Sequence, residues 1–238
     1  MVDLSAFQVV PAATTPPLTN GDRLSSEEFA RRYSADPQVR KAELIEGVVY
    51  VASPLRFGQH AEPHADLMGW LWLYKTATPG VRLGIEPTVR LDRNNQPQPD
   101  GVLLLPAIAG GTAQLTADDY VDGAPDLVVE IAASSAAIDL NAKRTAYQRN
   151  GVREYLVWQI YENQVQWWQL VQGEYVPLSA VEGVIRSAVF PGLWLAVTAL
   201  QQRQTAAVLT TLQAGLQSPE HAALVQTLTE APGTGAES

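Results

Sequence analysis

The 238-residue sequence contains no cysteine. Without thiols there is no disulfide framework, no thiolate metal site and no cysteine nucleophile. Basic residues are scarce too: 16 Lys and Arg stand against 25 Asp and Glu, a formal net charge of −9. That balance argues against a broad basic nucleic-acid footprint, because non-specific binding rests on neutralising phosphates. A local basic groove or a metal bridge remains compatible with it. No apolar run approaches the roughly 20 residues of a membrane span. The first residues, MVDLSAF, carry an acidic group and no apolar signal core. A soluble cytoplasmic protein is the resulting expectation.

What is present is concentrated in residues 124–161, APDLVVEIAASSAAIDLNAKRTAYQRNGVREYLVWQIY. Residues 126–132 are a short apolar run bounded by turn signals, which suits a buried strand. Glu130 interrupts it. Residues 138–149 are good helix formers, with Ser134-Ser135 placed to cap the start and Asn150-Gly151 to stop the end. Residues 154–160 are a second apolar, β-rich run. An ionised carboxylate on a buried strand is costly unless something pairs with it; a divalent metal or a lysine would do so. Asp139, Lys143 and Tyr147 recur every four residues and share one helix face; by itself that favours an Asp139–Lys143 helix pair with Tyr147 as packing, although Lys143 could also orient water or offset developing charge.

The remaining chain divides into residues 1–23, rich in Pro and Thr and expected to be poorly ordered, a domain at 24–200, and a helical tail at 201–238. Ser25 and Glu28 form a capping-box pattern for a first helix. Residues 42–51 suit a hairpin turning at Glu46-Gly47. A loop at 53–58 leads to a long helix at 59–76, with Pro63 in its first turn. Strands are expected at 81–91 and 100–105, joined by a loop, then a Gly-rich surface excursion at 106–123. A meander at 164–170 and 175–178 puts Trp167 and Trp168 on opposite strand faces, one for the core and one for a surface contact. Short strands at 184–185 and 193–197 precede helices at 197–216 and 219–228. The architecture is therefore α/β, a mixed sheet flanked by helices.

Several carboxylates compete for a chemical role. Asp126 and Glu130 face one side of a strand but lie about 13 Å apart at the usual rise per residue, too far to share one ion. Asp100, in Pro-Asp-Gly, is turn chemistry by itself, yet on a neighbouring strand it can approach Glu130. Asp100 with Glu130 is the better pair, and oxygen ligands of this kind suit Mg²⁺ or Mn²⁺. Glu43 lies between the first helix and the first strand, where it could reach the same ion or stand as a solvated edge. Glu46 beside Gly47 is a turn residue. His60 and His64 are four apart but do not form HExxH, so zinc is weakly supported there. Ser134-Ser135 lacks a nucleophile elbow, which leaves capping.

The order Glu43-Leu-Ile-Glu-Gly, Pro99-Asp100, Pro125-Asp126-Leu-Val-Val-Glu130-Ile, Asp139-x3-Lys143-x3-Tyr147 and Gly151-Val-x-Glu154-Tyr155 resembles the Uma-type restriction-endonuclease family of the PD-(D/E)XK nuclease superfamily. The resemblance covers about residues 24–200, and the segment Phe190-Pro191-Gly192-Leu193 fits its end. It implies a restriction-endonuclease-like core with a β-meander extension and C-terminal helices. It implies a metal site at the splayed sheet edge, with Asp100 and Glu130 as the metal-binding pair and Glu43 as the acidic residue near the first helix. The lysine that the superfamily carries two residues after the Glu is Ala132 here; Lys143, on the following helix, would take its place.

These expectations converge on a Mg²⁺- or Mn²⁺-dependent endonuclease acting on DNA. In it Asp100, Glu130 and Glu43 hold metal with the Ile131 carbonyl, and Lys143 positions water or offsets developing charge. A homodimer is expected, since double-strand cutting needs two sites and the Trp-rich meander could supply an isologous surface. The alternative is a catalytically inactive scaffold binding a protein or nucleic-acid partner, which Ala132 and the acidic balance favour. A small-phosphoester hydrolase is a third reading.

Overall fold

Helix α1 (Ser26–Ala35) begins where its serine directs: the Ser25 hydroxyl accepts the Glu28 N–H at 3.3 Å. The other half of the capping box is not made, because the Glu28 carboxylate accepts from Arg31 and Arg32 instead. The computed structural model describes residues 15–230. Strands β1 (Ala42–Ile45) and β2 (Val48–Val51) follow as an antiparallel hairpin, with Glu46 and Gly47 both in the left-handed region at the turn. Of the segment 1–23, residues 1–14 lie outside the described residues. From there Leu18 is buried beside Phe29 and Leu44, and Arg23 bridges Val48, so residues 18–23 are packed rather than loose. Residues 231–238 also lie outside.

A π-helical turn, Phe57–Ala61, leads into α2 (Glu62–Ala77), with Pro63 in the first turn where no N–H is needed. Strand β3 (Arg82–Ile85) is shorter than expected. Glu86 takes a φ of 51° and Pro87 cannot donate to a ladder, so the chain leaves the sheet. Strand β4 (Val89–Arg90) then joins a separate three-stranded sheet. Strand β5 (Gly101–Leu104) returns to the main one, and β6 (Gln114–Leu115) and β7 (Val121–Asp122) complete the small sheet within the 106–123 excursion.

Strand β8 (Leu127–Ala132) is buried along its whole length. Helix α3 (Ala136–Ile138), a second π-helical turn at Asp139–Lys143, and α4 (Arg144–Asn150) form one irregular helical run. Ser135 does not cap it through its hydroxyl; its backbone carbonyl accepts the N–H groups of Ile138 and Asp139. Gly151 ends the run at φ 86°. Then come β9 (Glu154–Gln159), β10 (Gln164–Val171), β11 (Glu174–Pro177), β12 (Val184–Arg186) and β13 (Trp194–Ala196). The expected helix at 197–216 is two helices, α5 (Val197–Gln201) and α6 (Thr205–Leu216). They are divided at Arg203, which has φ 58° and holds its guanidinium over the Trp158 ring. Helix α7 (Pro219–Glu230) follows.

The six-stranded sheet runs β11-β10-β9-β8-β5-β3, with β8 and β9 parallel and the other pairs antiparallel. Both faces are covered. On one, Leu103, Val129, Ile131 and Trp158 pack with Leu67, Trp70 and Leu71 of α2 and with Val208 and Leu212 of α6. The C-terminal helices are thus part of the main core. On the other, Val102, Val128, Ala132 and Val157 pack with Tyr147 of α4 and with Tyr155 and Trp168. This explains the near-continuous apolar sequence of β8. Trp167 and Trp168 are both buried, contrary to the expectation of one surface tryptophan. Trp168 stacks on Tyr155 and lies under the Arg144 guanidinium. A sheet covered on both sides leaves neither ring for a contact between copies.

Candidate active site

The site grows from the register of two strands. Gly101 pairs with Val129 and Val102 with Val128, antiparallel, so one further step sets Asp100 opposite Glu130. The Ile131 N–H donates to Asp100 Oδ2 at 2.7 Å, pinning this carboxylate to the neighbouring strand. Helix α2 presses close to this corner. A Cβ on Gly101 would stand 2.7 Å from Met68 Cε, so the end of the Met68 side chain rests against this glycine. From the same helix His64 Nε2 meets the Asp100 backbone oxygen at 3.1 Å.

Lys143 arrives from the helical run over the other face. Its Nζ lies 2.8 Å from Glu43 Oε1, 2.9 Å from Glu130 Oε1 and 3.3 Å from Asp139 Oδ1. The Tyr147 hydroxyl donates to the same Glu130 oxygen at 3.0 Å. Asp139 and Lys143 begin and end the second π-helical turn. Glu43 is oriented by the Gln98 N–H, which donates to Oε1 at 2.8 Å. The four expected residues, Glu43, Asp100, Glu130 and Lys143, therefore converge. Asp139 and Tyr147 join them, where the sequence alone favoured a helix pair and packing.

Two partners were not anticipated. Lys41 Nζ lies 3.5 Å and His60 Nε2 3.3 Å from Asp100 Oδ1. Lys41 stands two residues before Glu43, on the same side of an extended chain, and that spacing was the available signal. His60 belongs to the first π-helical turn. Lys41, Glu43, His60, Asp100, Glu130, Asp139 and Lys143 border one cleft of about 560 Å³, which Arg56, Leu55 and Tyr161 also line.

The electrostatics follow from crowding. Burial pushes the Glu130 carboxyl well up; Lys143 opposes this, while Asp139, Asp100 and Glu43 add to it. Asp139 is raised for the same reasons, burial first. Burial also works against charge on Lys143, but Glu130, Glu43 and Asp139 outweigh it and hold the ammonium well above its ordinary value. Burial raises Asp100 as well, yet His60 and Lys41 prevail and its carboxyl falls below the usual range.

The family called Uma2, "Putative restriction endonuclease", matches residues 26–198. The chain belongs to this family. No curated protein matches the chain. A solved structure, "Crystal structure of a putative nuclease belonging to DUF820 from Anabaena variabilis ATCC 29413", aligns with a TM-score of 0.55 at 15% identity. The alignment covers 72% of this chain and 96% of that one. The likeness shows a shared mixed α/β fold.

Within this Uma2 chain, Ala132 is fully buried in the same core cluster as Tyr147, on the strand face that carries Glu130. The ammonium that reaches Glu130 comes from Lys143 on the helical run, at 2.9 Å. Other residues of the family pattern are structural. Asp126 Oδ2 accepts the Leu105 N–H at 2.8 Å, and its other oxygen meets Arg153 at 3.2 Å. Glu154 accepts from the Ser187 hydroxyl and the N–H groups of Ala188 and Val189, tying β9 to the turn before β13. Glu46 pairs with Arg149 at the surface.

Restriction-endonuclease-like folds imply a divalent metal, and the donor chemistry here fits one. Four carboxylates, Glu43, Asp100, Glu130 and Asp139, share the cleft with two lysines, an oxygen-rich donor set of the kind a hard divalent cation takes. Among the described residues no three His, Asp or Glu side chains form a ready cage. Mg²⁺ ordinarily takes one or two carboxylates and completes its shell with water and substrate phosphate. Among the described residues no helix is long and apolar enough to cross a membrane.

Proposed function

We propose that the protein is a divalent-metal-dependent endonuclease that hydrolyses phosphodiester bonds in DNA. The observation that carries this reading is the convergence of Glu43, Glu130 and Asp139 on Lys143, with Asp100 opposite Glu130 on the neighbouring strand, along one cleft. Asp100 and Glu130 would hold the ion, with Glu43 assisting and the Ile131 carbonyl as a further ligand; Mg²⁺ and Mn²⁺ suit these oxygen donors. When bound, the ion supplies a water of lowered pKa and neutralises phosphate oxygens.

The chain's own groups do the rest. Lys143 keeps its proton, so it serves as a fixed positive charge near the reacting phosphate and as a donor that orients water, rather than as a base. The Tyr147 hydroxyl holds Glu130 in place. Lys41, about one-fifth exposed, gives the cleft a second fixed cation. Because four carboxylates share the cleft, a phosphate would be met there by the bound ion together with Lys41 and Lys143. A pair of copies, each with one such cleft, would cut both strands of a duplex.

One observation favours an inactive scaffold: Lys143 is already satisfied by three carboxylates, as a purely structural ion cluster would be. Cleavage of plasmid and oligonucleotide DNA with Mg²⁺ or Mn²⁺ separates the two. The nuclease reading requires cutting by the wild type and a loss of at least roughly 100-fold in Asp100→Ala, Glu130→Ala and Lys143→Ala. Absence of cutting on all substrates, with no metal uptake by calorimetry, supports the scaffold.

A further inference from the structure

Residues 52–58, from the end of β2 into the first π-helical turn, are all exposed, and their tip is Leu55-Arg56-Phe57. Leu55 is 58% and Phe57 75% exposed, the latter the highest among the large apolar side chains of the described residues. Single exposed apolar residues are ordinary, but a group of them at the edge of a site is not. Leu55 lines the cleft together with Arg56 and Tyr161, and Tyr161 is itself 57% exposed. Arg56 is extended, at φ −96° and ψ 140°, so Leu55 and Phe57 leave one side of the chain and the guanidinium the other. Among the described residues Arg56 forms no ion pair, whereas Lys41 and Lys143 are both paired with carboxylates. The tip is also held in shape. The Arg56 carbonyl accepts the N–H groups of His60 at 3.0 Å and Ala61 at 3.3 Å. The Tyr161 hydroxyl donates to Gln59 Oε1 at 3.2 Å, and Arg203 Nη2 donates to the Gly58 carbonyl at 3.4 Å. Apolar groups held ready in water in this way are suited to a partner that covers them.

We propose that Leu55 and Phe57 form a wedge that enters a base step of the DNA beside the phosphate being cut, while Arg56 holds a neighbouring backbone phosphate. The inference rests on the nuclease reading above and deepens it by naming what is recognised: a step that opens easily. The need for a wedge comes from the depth of the site. Asp100 and Glu130 are 3% exposed and Lys143 4%, so a phosphate reaches them only below the rim of the cleft. A straight duplex is convex and keeps its phosphates at the rim; unstacking one step kinks the backbone and lets it enter. Phe and Leu beside a basic residue are the chemistry for this, since the apolar groups replace stacking and the cation pairs with phosphate. With a formal net charge of −9 the chain has little means of bending DNA by charge, which leaves the apolar tip. Pyrimidine–purine steps are the most easily unstacked, so they are cut in preference to A-tracts.

Single-turnover cleavage by the full chain tests it, on duplexes that differ only in a central TA step or an A-tract, with 2-aminopurine at that position reporting unstacking. Wild type should raise the 2-aminopurine fluorescence on mixing and cut the TA duplex at least about tenfold faster than the A-tract. Leu55→Ala combined with Phe57→Ala changes only exposed side chains. It should abolish the fluorescence rise and slow cleavage of the matched TA duplex by at least about tenfold. On the same duplex with a mismatch at that step, where the bases are already loosened, the double variant should recover to within about threefold of wild type. A double variant as fast as wild type on the matched duplex, with no fluorescence rise in the wild type, overturns the wedge and leaves the nuclease standing. A wild-type dimer in sedimentation that the double variant dissolves, again with no fluorescence rise, assigns the tip to a second copy and also overturns the wedge. Neither binding nor cleavage of any duplex by the wild type overturns both readings.

Discussion

At the scale of single residues, Lys143 is the most constrained group in the chain. It is buried among three carboxylates, and removing one partner of a buried charge cluster is far costlier than the net worth of the cluster. Lys143→Ala should lower unfolding free energy by about 3–5 kcal/mol, measured from urea midpoints. Adding Glu130→Gln should recover part of the loss, since it removes one of the stranded charges; a double variant as unstable as the sum of its parts would contradict this. Glu154 offers a separate test away from the cleft. Burial pushes its carboxyl up to about 7, although the Ser187 hydroxyl and two backbone N–H groups pull the other way. In the unfolded chain the group titrates near 4.5. Between those values the unfolded state has released a proton that the folded state keeps, so stability falls as pH rises from 4.5 toward 7 and the contribution is flat above. The change is about 3 kcal/mol at most. Glu154→Gln should flatten the dependence across that window; an unchanged slope would place the titration elsewhere. The placement of several of these residues was legible beforehand: strand spacing lets Asp100 approach Glu130, and the repeat of four puts Asp139, Lys143 and Tyr147 on one helix face. His60 was not, because its place depends on a π-helical turn that no periodicity marks.

At the scale of elements, local signals succeeded wherever a single residue type determines the backbone. Ser25 starts α1, Gly151 stops α4, and Glu46-Gly47 turns the first hairpin. They failed where long-range packing decides. The strand expected at 81–91 breaks at Glu86-Pro87 because β4 finds its partner in β7, far along the chain. The helix expected at 197–216 breaks because Arg203 is drawn over Trp158. Trp168 is covered because α4 lies across the sheet, which an alternating pattern in β10 does not reveal. The close approach of α6 to the β12–β13 hairpin rests on two glycines. A Cβ on Gly215 would collide with the Gly192 carbonyl oxygen and stand 2.8 Å from the Trp194 ring. Gly215→Ala should therefore destabilise the protein by about 3 kcal/mol, at the upper end of overpacking costs, with α6 losing hydrogen-exchange protection first. Unchanged stability would mean that α6 shifts freely, and that it adds little to the core.

At the scale of the whole molecule, the site occupies the corner where the hairpin, the sheet and two irregular helical turns meet. No one element contains it: Glu43 comes from β1, Asp100 from the start of β5, Glu130 from β8, and Lys143 from the run before α4. Recognition from sequence worked because the order of these short motifs survives even though the residues between them carry little signal. The cleft sets Lys41, Arg56 and Lys143 among four carboxylates, so a polyanion would be engaged there locally, with a bound cation, rather than along a broad basic face. The most direct test of this account is single-turnover cleavage of a DNA duplex by wild type and Asp100→Ala, each after chelation and again after adding back Mn²⁺. The expected result is a loss of at least roughly 100-fold on chelation, restored by Mn²⁺ in the wild type and not in the variant. Cleavage that persists through chelation, or that survives Asp100→Ala, would contradict the metal-dependent site described here.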